Sequence, residues 1–186
     1  YANDYATSSS GSQNVTLSNC LIADNNNSYY DIWADGGADN TQLILDSCTI
    51  ANNTEQGGVM IYGLAHDVQI INSILDTNDG AVTIYYYLIA GTNTVQYDLS
   101  SGTSIGGTGI MYGLPSFVDP VNGDYHLLPT SLGVDYAPAM TGTDLDGNPR
   151  VRELPDIPND YGPIDLGAYE IQADTSSTSD TIFCNG

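Results

Sequence analysis

Asn14-Val-Thr-Leu-Ser-Asn-Cys-Leu-Ile-Ala-Asp-Asn25 is echoed by Gln42-Leu-Ile-Leu-Asp-Ser-Cys-Thr-Ile-Ala-Asn-Asn53, and again by Asp67-Val-Gln-Ile-Ile-Asn-Ser-Ile-Leu-Asp-Thr-Asn78. From Cys20 to Cys48 is 28 residues and from Cys48 to Ser73 is 25. A weaker fourth copy starts at Thr94, with Val95 matched to Val68 and Tyr97 to Ile70. A second apolar segment separates the copies: Tyr30–Trp33, then Gly58–Tyr62, then Ala81–Tyr85. Each period therefore holds two or three short strands divided by Asn, Asp and Gly turns. Alternation puts Val15 and Leu17, or Val68 and Ile70, on one face of a strand. One such unit cannot bury that face alone, whereas stacked units can, which predicts a β-solenoid.

Outward from the repeat, the aligned Asn25, Asn53 and Asn78 are expected to stack as a ladder at one corner, where Asn tolerates the left-handed conformation and its amides bond along the stack. Cys20 and Cys48 align and should sit in the solenoid wall as small core residues. In-register parallel neighbours are poorly placed for a disulfide, so the pairing of Cys20, Cys48 and Cys184 stays open at this level. A β-sandwich is the rival architecture, but it does not call for residue-by-residue repeats near 25 residues.

The repeat resembles that of the right-handed parallel β-helix proteins, the pectate-lyase-like solenoids of secreted bacterial proteins. Asn19-Cys20-Leu21-Ile22 and Asn72-Ser73-Ile74-Leu75 carry the likeness. It implies a fold over residues 14–100, and not a chemistry. All eight prolines lie from Pro115 onward, so regular coils should stop near Gly113. Pro115–Asp135, Asp144-Leu-Asp-Gly-Asn-Pro-Arg150 and Pro163-Ile-Asp-Leu-Gly-Ala-Tyr-Glu170 are similar to closing segments of secreted β-helix proteins. The resemblance implies that they wrap the last coil. Leu132–Asp135 departs from the family's proline-led pattern there.

The expected organisation is thus an all-β, right-handed parallel β-helix over 1–112, an irregular Pro-containing C-terminal cap of the same domain over 113–171, and a Ser/Thr-rich linker and tail over 172–186. Asp146-Gly147 suits a hairpin turn in the cap. Arg150 and Arg152, the only cations, should anchor that hairpin on Asp165 or Glu170.

Composition narrows the function. The 186 residues carry 23 acidic and 2 basic side chains, a formal charge of −21. Nucleic-acid binding needs clustered Lys and Arg and is excluded, and docking on an anionic membrane is disfavoured. Only 13% of residues are charged and 41% are apolar, so a packed core is expected. The longest apolar run, Tyr85–Ala90, is too short to span a bilayer. The chain shows no basic-then-apolar leader, so a secretion signal is expected to have been removed or to lie upstream.

Catalysis finds weak footing. A β-helix lyase uses Arg or Lys as base and cations to neutralise a uronate. Here lysine is absent and both arginines sit in the cap. A hydrolase needs two carboxylates, for which Asp24 with Asp76 or Asp31 with Asp35 are candidates; solvated turn carboxylates are the simpler reading. His66 and His126 lack a zinc partner at ligand spacing. Asp144, Asp146 and Asn148 have the alternating oxygens of a Ca²⁺ loop but no closing Glu, and a hairpin turn competes. Sequons at Asn14, Asn26 and Asn52 are candidate glycosylation sites.

The expectation is a non-catalytic structural or adhesive module of a secreted or cell-surface protein that self-associates head to tail into an extracellular filament. Tail residues Ile182, Phe183 and Cys184 would make the intermolecular contact by strand addition. The alternative is a carbohydrate-active or carbohydrate-binding β-helix domain acting on a surface glycan, with Tyr side chains stacking on sugar rings.

Overall fold

The computed structural model describes residues 5–8, 13–25, 32–35, 41–53, 59–62, 66–77, 84–87, 92–102 and 105–172. Among these residues, thirteen strands build three parallel sheets. The first holds β1 (Tyr5–Ser8), β4 (Ile32–Asp35), β7 (Val59–Tyr62) and β10 (Ile84–Tyr87). The second holds β2 (Gln13–Ser18), β5 (Thr41–Asp46), β8 (His66–Ile71) and β11 (Asn93–Gln96). The third holds β3 (Leu21–Ala23), β6 (Thr49–Asn53), β9 (Ile74–Thr77), β12 (Leu99–Ser100) and β13 (Met111–Tyr112). The chain visits the sheets in rotation, so each circuit stacks on the one before. This is a solenoid-like all-β architecture. Among the described residues the only helical turn is the 3₁₀ segment Pro120–Asn122.

Pairing follows the sequence repeat. Val15 faces Leu43, Leu43 faces Val68, and Ile70 faces Val95. The last pairing corrects the fourth copy: Val95 belongs opposite Ile70, which restores a 25-residue step from the third copy. Inward rows of the second sheet and Ile22, Ile50 and Leu75 of the third fill the lumen, joined by Ile32 and Ile105.

A single left-handed residue joins each second-sheet strand to the third-sheet strand that follows. Asn19, Ser47, Asn72 and Tyr97 have φ of 50°, 55°, 54° and 55°. Each still donates its N–H to the next coil, at Asp46, Ile71, Gln96 and Thr108 carbonyls respectively. The inter-coil ladder thus continues through the bend and offsets a backbone cost of about 1–3 kcal/mol at each non-Gly residue. The next position along, Cys20, Cys48, Ser73 and Asp98, forms a second ladder. The Cys48 N–H bonds Ser73 Oγ at 3.1 Å and the Ser73 N–H bonds Asp98 Oδ1 at 2.7 Å.

Residues 113–172 form the cap segment. It opens with an antiparallel pair, β14 (Phe117–Asp119) and β15 (Asp124–Leu127). The rest has no regular strand. Its contacts are spread along the whole stack, where closure of the last coil was expected. Arg150 Nη2 donates to Asn19 Oδ1 of the first coil at 2.6 Å. The Ala168 N–H bonds Thr49 Oγ1 at 2.9 Å, the Gly167 N–H bonds the Asn72 carbonyl at 2.8 Å, and Tyr161 packs edge-on against Tyr97 at 5.1 Å. The segment lies on the outer face of the third sheet. Ile74 and Leu99 project into it and join a second core with Leu127, Val134, Tyr136, Ala137, Ile164 and Leu166.

Gly167 sets the closeness of that approach. Its φ is +89°, and a Cβ there would stand 2.4 Å from Thr49 Oγ1 and 2.8 Å from Ile74 Cδ1. Only glycine brings the cap backbone down to the sheet.

Candidate functional site

The polar groups of the cap divide into a buried set and a surface set. In the buried set, Asp135, Asp144, Asp165, Glu170 and Arg150 are almost fully enclosed. Asp165 accepts the Asp135 N–H at 2.8 Å and the Ile171 N–H at 2.7 Å. Glu170 Oε2 accepts the Asp165 N–H at 3.0 Å. Asp144 accepts Asn148 N–H at 2.7 Å and Glu170 N–H at 3.0 Å. Asp135 Oδ2 accepts the Leu154 N–H at 2.9 Å. These carboxylates tie irregular backbone that has no ladder of its own, which answers the requirement that buried amides find partners.

Arg150 threads this set, 4.0 Å from Glu170 Oε2 and 3.5 Å from the Asp165 carbonyl. Burial, reinforced by Asp165, pushes the Glu170 carboxyl up to about 9. Burial likewise pushes Asp165 up to about 6. Arg152 differs from the expected anchor: its Nε bonds Gln172 Oε1 at 3.0 Å on the surface.

The surface set is Asp124, His126, Asp146 and Tyr169. His126 Nδ1 lies 2.6 Å from Asp124 Oδ1 and its Nε2 lies 2.8 Å from Asp146 Oδ2. The imidazole packs on Tyr169 with centroids 4.0 Å apart. Partial burial lowers the His126 value, but hydrogen bonds to the two carboxylates outweigh it and leave the ring above its ordinary value. Bonded to a carboxylate at each ring nitrogen, His126 clamps β15 to the 144–148 turn.

A third cluster lies at the opposite corner. Asp24 Oδ1 accepts from Tyr125 Oη at 2.7 Å and from Asn52 Nδ2. Burial raises the carboxyl of Asp76, which acts electrostatically on the same Tyr125 hydroxyl. The candidate pair Asp24 and Asp76 is thus brought toward one phenol. The neighbouring cavity is about 200 Å³, lined by Leu21, Ala23, Asp24, Gly123 and Tyr125. That is smaller than the 300–1,000 Å³ usual for ligand pockets. A larger cavity of about 480 Å³ lies between Asn93–Gln96 and Gly106–Thr108, and among the described residues that line it none is ionisable.

The Ca²⁺ reading of Asp144, Asp146 and Asn148 meets a competitor for every carboxylate. Asp144 holds two backbone amides and Asp146 holds His126. Thr143 and Pro149 form an antiparallel bridge and Gly147 has φ +85°, so the segment is a tight turn. Among the described residues, no group of three or more His, Cys, Asp or Glu is placed to hold a metal ion.

The asparagine ladder is one step long where described. Asn53 Oδ1 accepts the Asn25 N–H at 2.9 Å and Asn53 Nδ2 donates to the Ile22 carbonyl at 3.1 Å. The left-handed residues at this corner are Asp24 (φ 59°) and Asn52 (φ 53°), one position earlier than expected. The amides of Asn25 and Asn53 therefore bond beside the bend, not at its apex. Asn14 is exposed on β2 and Asn52 is exposed with its amide on Asp24. Asn26, Asn78, Asp31, Ile182, Phe183 and Cys184 lie outside the described residues, as do the side chains of Asp35 and His66.

Sequence reasoning named Asp165 as a partner for the arginines but missed its part as an acceptor of backbone N–H groups, and it missed the roles of Asp98 and Asp135. For Asp135 and Asp165 the signal available was the spacing of acids among Pro and Gly in an otherwise irregular segment, and for Asp98 it was the place 25 residues after Ser73. No helix among the described residues is long and apolar enough to cross a membrane. Comparison of the chain with protein-family models, with curated proteins and with solved structures returned no match.

Proposed function

We propose that this chain is a non-catalytic structural or adhesive module of a secreted or cell-surface protein, one that associates head to tail with copies of itself. One observation carries the reading. Each of the buried carboxylates Asp98, Asp135, Asp144, Asp165 and Glu170 accepts a backbone N–H, so the enclosed acids hold the fold together. The coil is taken as right-handed, the hand of nearly all crossovers between parallel strands of one sheet. Among the described residues β10 and β13 pair on one side only. Such edges are templates for a further strand.

Light scattering with negative-stain microscopy on the purified chain tests the reading. Rods longer than one solenoid are expected. A monomer at high protein concentration contradicts self-association, and release of reducing ends from a glycan panel contradicts the non-catalytic role.

A second reading, a carbohydrate-binding or carbohydrate-active β-helix domain, draws on the register of the first sheet. Trp33, Met60 and Tyr85 pair in one row, and Asp35, Tyr62 and Tyr87 in another. Aromatic residues repeated at strand spacing suit a row of sugar rings. Retention on immobilised glycans, lost in Tyr85→Ala, would favour it.

A further inference from the structure

Two cysteines occupy one corner of the first two described coils. Cys20 precedes Leu21 and Cys48 precedes Thr49, which pair across the third sheet. The Thr49 N–H bonds the Cys20 carbonyl at 2.9 Å, so the two positions are in register. Adjacent strands lie about 4.8 Å apart. The expectation that in-register neighbours are poorly placed for a disulfide is corrected on this count, since the spacing falls inside the range of about 4.4–6.8 Å between Cα atoms so joined. Each sulfur leans on the carbonyl two residues before it, Cys20 Sγ 3.2 Å from the Ser18 oxygen and Cys48 Sγ 3.5 Å from the Asp46 oxygen. Cys48 Sγ also reaches to 3.3 Å from the Leu17 oxygen of the coil that carries Cys20. Both are free thiols here.

We infer that Cys20 and Cys48 are an oxidation site, closing an inter-coil disulfide on exposure to a disulfide-bearing oxidant such as oxidised glutathione. Exposure sets the order of events. Cys48 is fully buried and Cys20 is partly exposed. The Cys20 thiol loses its proton and attacks one sulfur of the oxidant, whose S–S bond breaks to release one small thiol. The Cys48 thiol then loses its proton and attacks Cys20 Sγ of the mixed disulfide, releasing the second small thiol. Two protein thiols give up two electrons and two protons, and the oxidant takes up both as two thiols. The neighbouring Cys48 thiol holds Cys20 below its ordinary value, while contact with Cys20 and burial push Cys48 up, in keeping with Cys20 as the attacking group.

The third rung limits the staple to these coils. Ser73 stands at the same position, its Oγ donating to the Ile71 carbonyl at 2.9 Å. Serine therefore fits this corner, which makes Cys48→Ser a control expected to fold.

The test uses the full chain carrying Cys184→Ser, which leaves only this pair. After treatment with oxidised glutathione, thiol counting in denaturant is expected to give none. Peptide mapping should give one Cys20–Cys48 cross-link and a mass about 2 Da below the reduced chain. The treated chain should melt above the same chain kept with reductant, because the bridge closes a loop in the unfolded state. Two titrating thiols, a lasting glutathione adduct on Cys20 with Cys48 free, or a melting temperature indifferent to reductant would each overturn the inference. Cys48→Ser should stop at a single adduct on Cys20. An unmodified Cys20 in that variant would overturn the order of attack.

Discussion

The second and third sheets come from the same coils, yet they meet different surroundings. In the second, Leu43, Leu45, Val68 and Ile70 are buried while Asn14, Thr16, Ser18 and Asp67 are exposed. In the third, Thr49, Ile50, Ala51, Ile74, Leu75, Leu99 and Ser100 are all buried. One face of that sheet looks into the lumen and the other lies under the cap segment. The comparison teaches that residues 113–172 are a second layer on one wall of the solenoid. A strand with one wet face needs alternation, and a strand covered on both faces does not.

If the cap holds that wall from the first coil onward, Arg150→Ala should be the most damaging single change. It removes the bond to Asn19 and the contact with the Asp165 carbonyl, and it takes the one enclosed cation away from the carboxylates of Asp144 and Asp165. A loss of about 3–5 kcal/mol is expected in urea unfolding. A melting curve like that of the unaltered chain would sink the anchoring role.

Paired substitutions on the two outer faces sharpen the contrast. Ile74→Ala, under the cap, is expected to cost about 2–5 kcal/mol. Gln69→Ala, on the outer face of β8, should stay within about 0.5 kcal/mol. Similar costs at both sites would erase the distinction between the sheets.

The acids beneath the cap give a pH signature. Glu170 and Asp165 have folded values above their unfolded ones, at about 9 and about 6. Their contribution to stability is complete below the unfolded values and is lost as pH rises through the folded ones. The melting temperature should therefore fall from pH 5 to pH 9. Glu170→Gln should flatten that fall, and an unchanged slope in the variant would assign it elsewhere.

The smallest effect belongs to the surface clamp. His126 is raised in the folded state by Asp124 and Asp146, so its contribution is present below about 6.5 and lost above the raised value. His126→Gln should lower the melting temperature at pH 5.5 and leave it nearly unchanged at pH 9. Equal shifts at both pH values would mean that packing on Tyr169, and not charge, supplies the contact.

The repeat was legible because stacking forces the same residue types to recur at one register position. The alignment of Cys20, Cys48 and Ser73 announced a stacked position, expected in the wall and found just past the bend, and Val15 and Val68 announced an inward face. The apolar pairs Leu21-Ile22 and Ile74-Leu75 carried the family likeness, but nothing local to those strands says that their second face is covered. That cover comes from contacts 119 residues apart, such as Ala168 with Thr49. The placement of the cap was missed for the same reason. Its residues pair with side chains and bends, where no periodicity exists to be read. Asp144 and Asp146 illustrate the ambiguity: a calcium loop and a turn held by backbone amides ask for the same oxygens at the same spacing.

The most direct test of the two-walled account is the proton neighbourhood of the Ile74 methyl groups in an NMR spectrum of the full chain. Overhauser contacts to the α-protons of Gly167 and to the Leu166 side chain are expected. An Ile74 methyl that sees only residues of its own stack, or solvent, would contradict the placement of the cap along the third sheet.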